Sequence, residues 1–147
     1  MTPDVNVLVA ASRSDHPHHE IASDWLSEAL TNCSSGATFK LVPLVVASFL
    51  RLVTHSRVFK QPTPIKEAVD FVDALLAIPG VDMPSVGAEW PSLRQLCLDK
   101  QLRANSLPDA WLAAVVTHLG EHLVTFDADF KRLLRRERVT ILDPQLQ

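Results

Sequence analysis

Short apolar runs alternate along this chain with longer stretches of helical periodicity, and that alternation restricts the fold more than any other feature. Residues 5–10, 39–42, 81–83, 123–126 and 139–142 read as strands, bounded by turn-forming residues. The first of them, Val5 to Ala10, is apolar enough to be a fully buried strand. Between the runs, Ile21, Ala22, Trp25, Leu26, Ala29 and Leu30 recur at helical spacing. Pro43 opens a helix that is apolar almost all round, and Ile65, Ala68, Val69, Val72, Leu75 and Leu76 mark another. Residues 89–103 suggest a helix with Trp90, Leu93, Leu96 and Cys97 inward, and residues 109–120 one that ends at Gly120. Residues 127–138 suggest a polar, basic helix with Phe130, Leu133 and Leu134 on its apolar side. Strands separated by helices imply an α/β fold: a mainly parallel sheet with helices on both faces. In such sheets ligand sites gather at the carboxyl ends of the strands.

At 147 residues the chain suits a single domain, 1–147, with a proper core. Its 47% apolar and 21% charged residues belong to a globular protein. A net charge of −3 argues against a pure nucleic-acid binding module, but not against a nuclease whose acidic pocket is offset by cations. Cys33 and Cys97 lack the spacing of a zinc site and read as free thiols in a reducing cytoplasm. No membrane span or signal segment is expected. Four glycines, none in a phosphate-binding loop, disfavour a nucleotide-binding fold.

The acidic residues carry the chemistry. Asp4 opens the first apolar run, where a carboxylate is costly unless paired, neutralised or bound to a cation. No local cap explains it there. Asp109 heads an apolar helix, and Asp127 with Asp129 follows an apolar strand. Each, taken alone, reads as a helix cap. Together, three acidic points at the ends of regular elements suggest one oxygen-ligand site for a divalent cation, with Asn6 and Thr125 orienting it. Asp143 before Pro144 reads as a turn residue. Arg51 interrupts an apolar helix, so its head must reach water, a carboxylate or a phosphate. Lys131, Arg132, Arg135, Arg136 and Arg138 form a basic run, read as a solvated face or as phosphate attraction. His16, His18 and His19 lack metal-ligand spacing and read as surface or capping residues. His118 and His122, with Gly120 between them, are likewise not read as ligands. Trp25, Trp90 and Trp111 fall at positions compatible with a core.

PDVNVLVAAS, FLRLVTH, NSLPDAWLAA and LVTFDADF, in this order and spacing from Asp4 to Pro144, resemble the PIN-domain ribonucleases, in particular the VapC-type toxins of type II toxin–antitoxin pairs. The resemblance implies a three-layer α/β/α sandwich with a central, mainly parallel sheet. It also implies a magnesium site, or manganese in its place, where water attacks an RNA phosphodiester. It places direct metal ligands at Asp4 and Asp109, with Asp127 binding a metal directly or through water, Asp129 as a neighbour and Asn6 and Thr125 as supports; Arg51, on its otherwise apolar helix, is read toward a phosphate of the RNA. The implied partners are a VapB-type antitoxin that pushes a basic side chain into the acidic pocket, the RNA substrate and a second copy of the chain. The chain departs from the family pattern in one place. The helix from Pro43 carries no acid where the family has a glutamate, and Ser48 or Val46 takes that place. A binding protein with weakened catalysis and a structure-specific DNA nuclease on the same fold are the competing readings.

Overall fold

The computed structural model describes residues 1–143; Pro144 lies outside them. Among the described residues, β1 (Thr2–Pro3), β4 (Leu123–Thr125) and β5 (Val139–Ile141) form one sheet in the order β1-β4-β5, and β2 (Phe39–Lys40) pairs with β3 (Val81–Asp82). Every pairing is parallel. A backbone bond from Lys40 N to Met1 O, 2.9 Å, sets the β2–β3 pair against the free edge of β1. The spatial order is therefore β3-β2-β1-β4-β5, the parallel, helix-covered arrangement expected from the alternation.

The helices are α1 (Val5–Ser12), α2 (His19–Cys33), α3 (Pro43–Val53), α4 (Ile65–Leu76), α5 (Trp90–Lys100) and α6 (Ser106–Leu119). The larger core gathers side chains from all of them except α5, with Phe39, Phe49, Leu112 and Phe130 almost wholly enclosed. Each such side chain contributes about 1.5–3 kcal/mol by leaving water. A smaller cluster of Val7, Ala10 and Ala22, backed by Phe126 and Leu142, fixes α1 against α2. Gly120, at φ +68°, closes α6 in the left-handed conformation, as its position suggests.

Three expectations are corrected. Residues 5–10 are not a strand: the backbone leaves β1 after Pro3 and turns at once into α1. A short run that is apolar at every position has no period to separate strand from helix, and the burial of Val7, Leu8, Val9 and Ala10 fits either. The basic segment is not one helix but two 3₁₀ turns, Ala128–Arg132 and Arg136–Arg138. Its like charges disfavour a longer helix, and Phe130 and Leu134, with half-buried Leu133 beside them, anchor it in the core. Trp90 and Trp111 are exposed, at 60% and 44%, while Trp25 is half-buried. No residue of α5 is buried, because that helix covers α6 from outside and rests on half-buried Leu93, Leu96 and Cys97. No helix among the described residues is long and apolar enough to cross a membrane.

Candidate active site

Asp4 stands where β1 becomes α1. Its main chain still belongs to the sheet, with Asp4 N donating to Val124 O at 2.9 Å. Its side chain caps α1: Oδ1 accepts from Val5 N at 2.7 Å. The carboxylate thus has the local cap that a strand reading denied it, and the cap answers one oxygen only. Oδ2 accepts from the Thr125 hydroxyl at 2.7 Å, across 121 residues of sequence.

Thr125 is the hub. It ends β4 with no exposed surface. Its hydroxyl donates to Asp4 and accepts from Asn6 Nδ2 at 3.1 Å and from Asp127 N at 3.0 Å. One donor and two acceptor positions are all a hydroxyl has. Asn6 Oδ1 in turn accepts from Phe126 N at 3.2 Å. Asn6 and Thr125 tie α1 to the carboxyl end of β4. Asp127 caps the following turn, with Oδ1 accepting from Asp129 N at 2.8 Å.

Asp109 enters from the first turn of α6. It lines a hollow of about 190 Å³ together with Asp4, Ser48 and Arg51. On its other side a second hollow, about 350 Å³, is lined by Asp109, Asp129, Asn105 and Arg132. Another hollow, about 470 Å³ between α5 and the 3₁₀ turns, shares no acid with either. The electrostatics report one cluster. Burial first, then the charges of Asp4, Asp127 and Asp129, push the Asp109 carboxyl from 3.8 up to about 6. Burial likewise raises Asp4, and the Asp127 charge adds to it against the hydrogen bonds from Thr125 and Val5. Asp4 and Asp109, far apart in the chain, thus share the smaller hollow, and Asp109 shares the second with Asp129, while Asp127 lines neither.

The sequence left two residues for the place of the absent glutamate. Ser48 faces the acidic hollow, whereas Val46 is buried in the core. Arg51 is exposed on the same wall and belongs to no ion pair among the described residues. The donor set suits a hard divalent cation, being all oxygen and anionic. Among the described residues, however, no three His, Cys, Asp or Glu side chains stand close enough to hold an ion by themselves. Unneutralised carboxylates repel one another, and the wall that α3 gives the smaller hollow carries Ser48 and Arg51 but no acid. The residues fit an open, largely hydrated site, which magnesium ordinarily keeps.

His16, His18 and His19 sit at the start of α2, where His18 is the N-cap and its backbone N donates to His16 Nδ1 at 3.1 Å. All three are half-buried: His18 stacks on Phe126 at 4.9 Å, and His19 Nδ1 lies 2.9 Å from Ala10 O. Sequence reasoning missed two buried charges, Arg13 and Glu89. Glu89 Oε2 accepts from Gly87 N at 2.7 Å, and Oε1 accepts from Trp111 Nε1, which explains how an exposed indole is fixed. Nothing in their local spacing marks either residue.

Comparison with known proteins agrees with this architecture. The PIN domain family model matches residues 1–135. Ribonuclease VapC31 of Mycobacterium tuberculosis is 39% identical over 132 residues, 88% of this chain and 89% of that protein. Ribonuclease VapC25 of the same organism is 38% identical over 130 residues, with the same shares covered. Among solved structures, VapBC2 from Rickettsia felis bound to a promoter DNA fragment superposes with a TM-score of 0.67. That match has 18% identity and covers 97% of this chain and 98% of the other. The chain belongs to the PIN-domain family, among its VapC-type members.

Proposed function

We propose that this chain is a divalent-metal-dependent endoribonuclease, the toxin of a type II toxin–antitoxin pair. The observation that supports the proposal is the hollow that Asp4 and Asp109 share with Ser48 and Arg51, in a chain whose relatives are named ribonucleases. Asp4, Asp109 and Asp127 would hold magnesium or manganese, with Asp129 beside them. The cation supplies a more acidic water and neutralises charge on the phosphodiester.

The chain's own residues do the rest. Thr125 and Val5 N hold Asp4 in one orientation. Asn6 keeps the turn that carries Asp127 against β4. Arg51 offers a charged fork to a phosphate entering the hollow. The same hollow accepts the basic side chain of a VapB-type antitoxin, which explains inhibition by occupancy. A second copy of the chain has an apolar face available on α4, where Ile65 and Val69 are exposed.

The test is cleavage of matched RNA and DNA hairpins with magnesium, with a chelator, and with Asp4→Asn. RNA cleavage that chelation and Asp4→Asn both abolish is expected. Cleavage indifferent to both controls ends the mechanism, and preference for DNA ends the RNA assignment. The absence of an acid on α3 favours a second reading, a PIN-fold binding protein with weakened catalysis. It would show as RNA binding without cleavage at any magnesium or manganese concentration.

A further inference from the structure

One buried charge has no part in the acidic site. Arg13 is the C-cap of α1 and only 9% exposed, a costly place for a guanidinium without partners. Its fork donates to both oxygens of Asp15, at 3.0 and 2.7 Å. Nη1 donates to Thr63 Oγ1 at 2.9 Å, and Nη2 donates to Gln61 O at 2.9 Å. The ring of Phe59 lies 3.8 Å from the guanidinium carbon. Phe59, Gln61 and Thr63 all lie in the loop that leaves α3. That loop closes on itself, because Thr63 N donates to Val53 O at 2.8 Å. It is a compact loop with adjacent ends, and a side chain from another element fills its interior. A surface loop without such a plug has few buried contacts and opens easily.

The plug holds basic residues in place. Arg57 and Lys60 are exposed, no acid occurs from Thr54 to Pro64, and neither cation forms an ion pair among the described residues. The loop starts three residues after Arg51, which lines the acidic hollow. Helix α1 sets the spacing: Asp4 caps one end and Arg13 the other, with eight residues between, about 12 Å of helix. A chain of net charge −3 with an acidic pocket repels a polyanion unless cations are placed beside that pocket.

We propose that Arg13 is a positioning residue that fixes the 54–63 loop as a phosphate-binding lip. Arg57 and Lys60 there hold the backbone of single-stranded RNA. The proposal rests on the ribonuclease reading and extends it to how the strand is seated.

The experiment measures binding of a labelled, mixed-sequence, single-stranded RNA to the full chain carrying Asp4→Asn, across a salt series. With both lip cations replaced, Arg57→Ser and Lys60→Ser, the slope of log affinity against log salt flattens by about 1.4, two phosphates at about 0.7 each. Affinity then falls about sevenfold less between about 50 and 200 mM salt than in the parent. Arg13→Lys keeps the charge but loses the fork. It flattens the slope by at least half as much while thermal unfolding stays cooperative. With Asp4 restored, the double replacement raises KM and leaves kcat unchanged. An unchanged slope in the double variant overturns the lip, including the case where those variants weaken only capture of a protein partner. A slope lost in the double variant but kept in Arg13→Lys overturns the role of Arg13. Failure of the Asp4 protein to cut RNA counts against the ribonuclease reading, while the binding slopes still decide the lip.

Discussion

Replacing Asp109 by asparagine should stabilise the metal-free protein while removing its activity. The Asp109 carboxyl is raised from 3.8 to about 6 by burial and by the charges of Asp4, Asp127 and Asp129. A native value above the unfolded one means the folded chain keeps its proton longer. Stability from the protonated form is therefore complete below about pH 4 and is lost as pH rises through about 6. Taken at face value, the move corresponds to about 3 kcal/mol, at about 1.36 kcal/mol per decade. Asp109 is half-buried, so solvent screening reduces this to about 1 kcal/mol. Asparagine never ionises and escapes the penalty. Thermal unfolding in chelator should show Asp109→Asn melting about 3 °C above the parent near pH 8 and close to it near pH 4. Saturating magnesium should remove the difference by stabilising the parent alone. A variant that melts below the parent at high pH, or a difference independent of pH, refutes the idea that these carboxylates repel one another across a shared pocket.

Thr125→Val keeps the shape of the hub but leaves Asp4 Oδ2 without its donor and Asn6 Nδ2 and Asp127 N without their acceptor. Urea unfolding should show a loss of about 2–3 kcal/mol, together with loss of cleavage from a protein that still folds. Gly80 adopts φ +89°, and an added Cβ would lie 3.1 Å from both Ala37 O and Cys33 Cβ. Gly80→Ala should cost about 2 kcal/mol in the same measurement and leave kcat unchanged, because the strain lies on the β3 side of the sheet.

The sequence discloses the site more readily than the local structure around it. The shared hollow of Asp4 and Asp109 was legible because a carboxylate opening an apolar run needs a partner or a cation. The element after Asp4 was not legible. Val5, Val7, Leu8 and Val9 give no period, and the helix start shows in bonds to Asp4, from Val5 N to its side chain and from Leu8 N to its carbonyl. Trp90 and Trp111 misled because helical spacing records which residues share a face, not whether anything covers it. Arg13 was invisible for another reason. Its partners Phe59, Gln61 and Thr63 lie far along the chain, and no spacing rule joins an arginine to a loop about fifty residues away. Ser48 was half legible: the missing acid could be seen, but choosing between Ser48 and Val46 required knowing which face of α3 meets the hollow.

The bond between Thr125 and Asp4 joins positions 121 residues apart. During synthesis, at about 5–20 residues per second, Asp4 waits roughly 6–24 seconds for that hydroxyl to be made. Until then β1 lacks its neighbour β4, and the acids of the hollow have no common wall. An incomplete copy on the ribosome therefore lacks the hydroxyl that orients Asp4 until position 125 has been added.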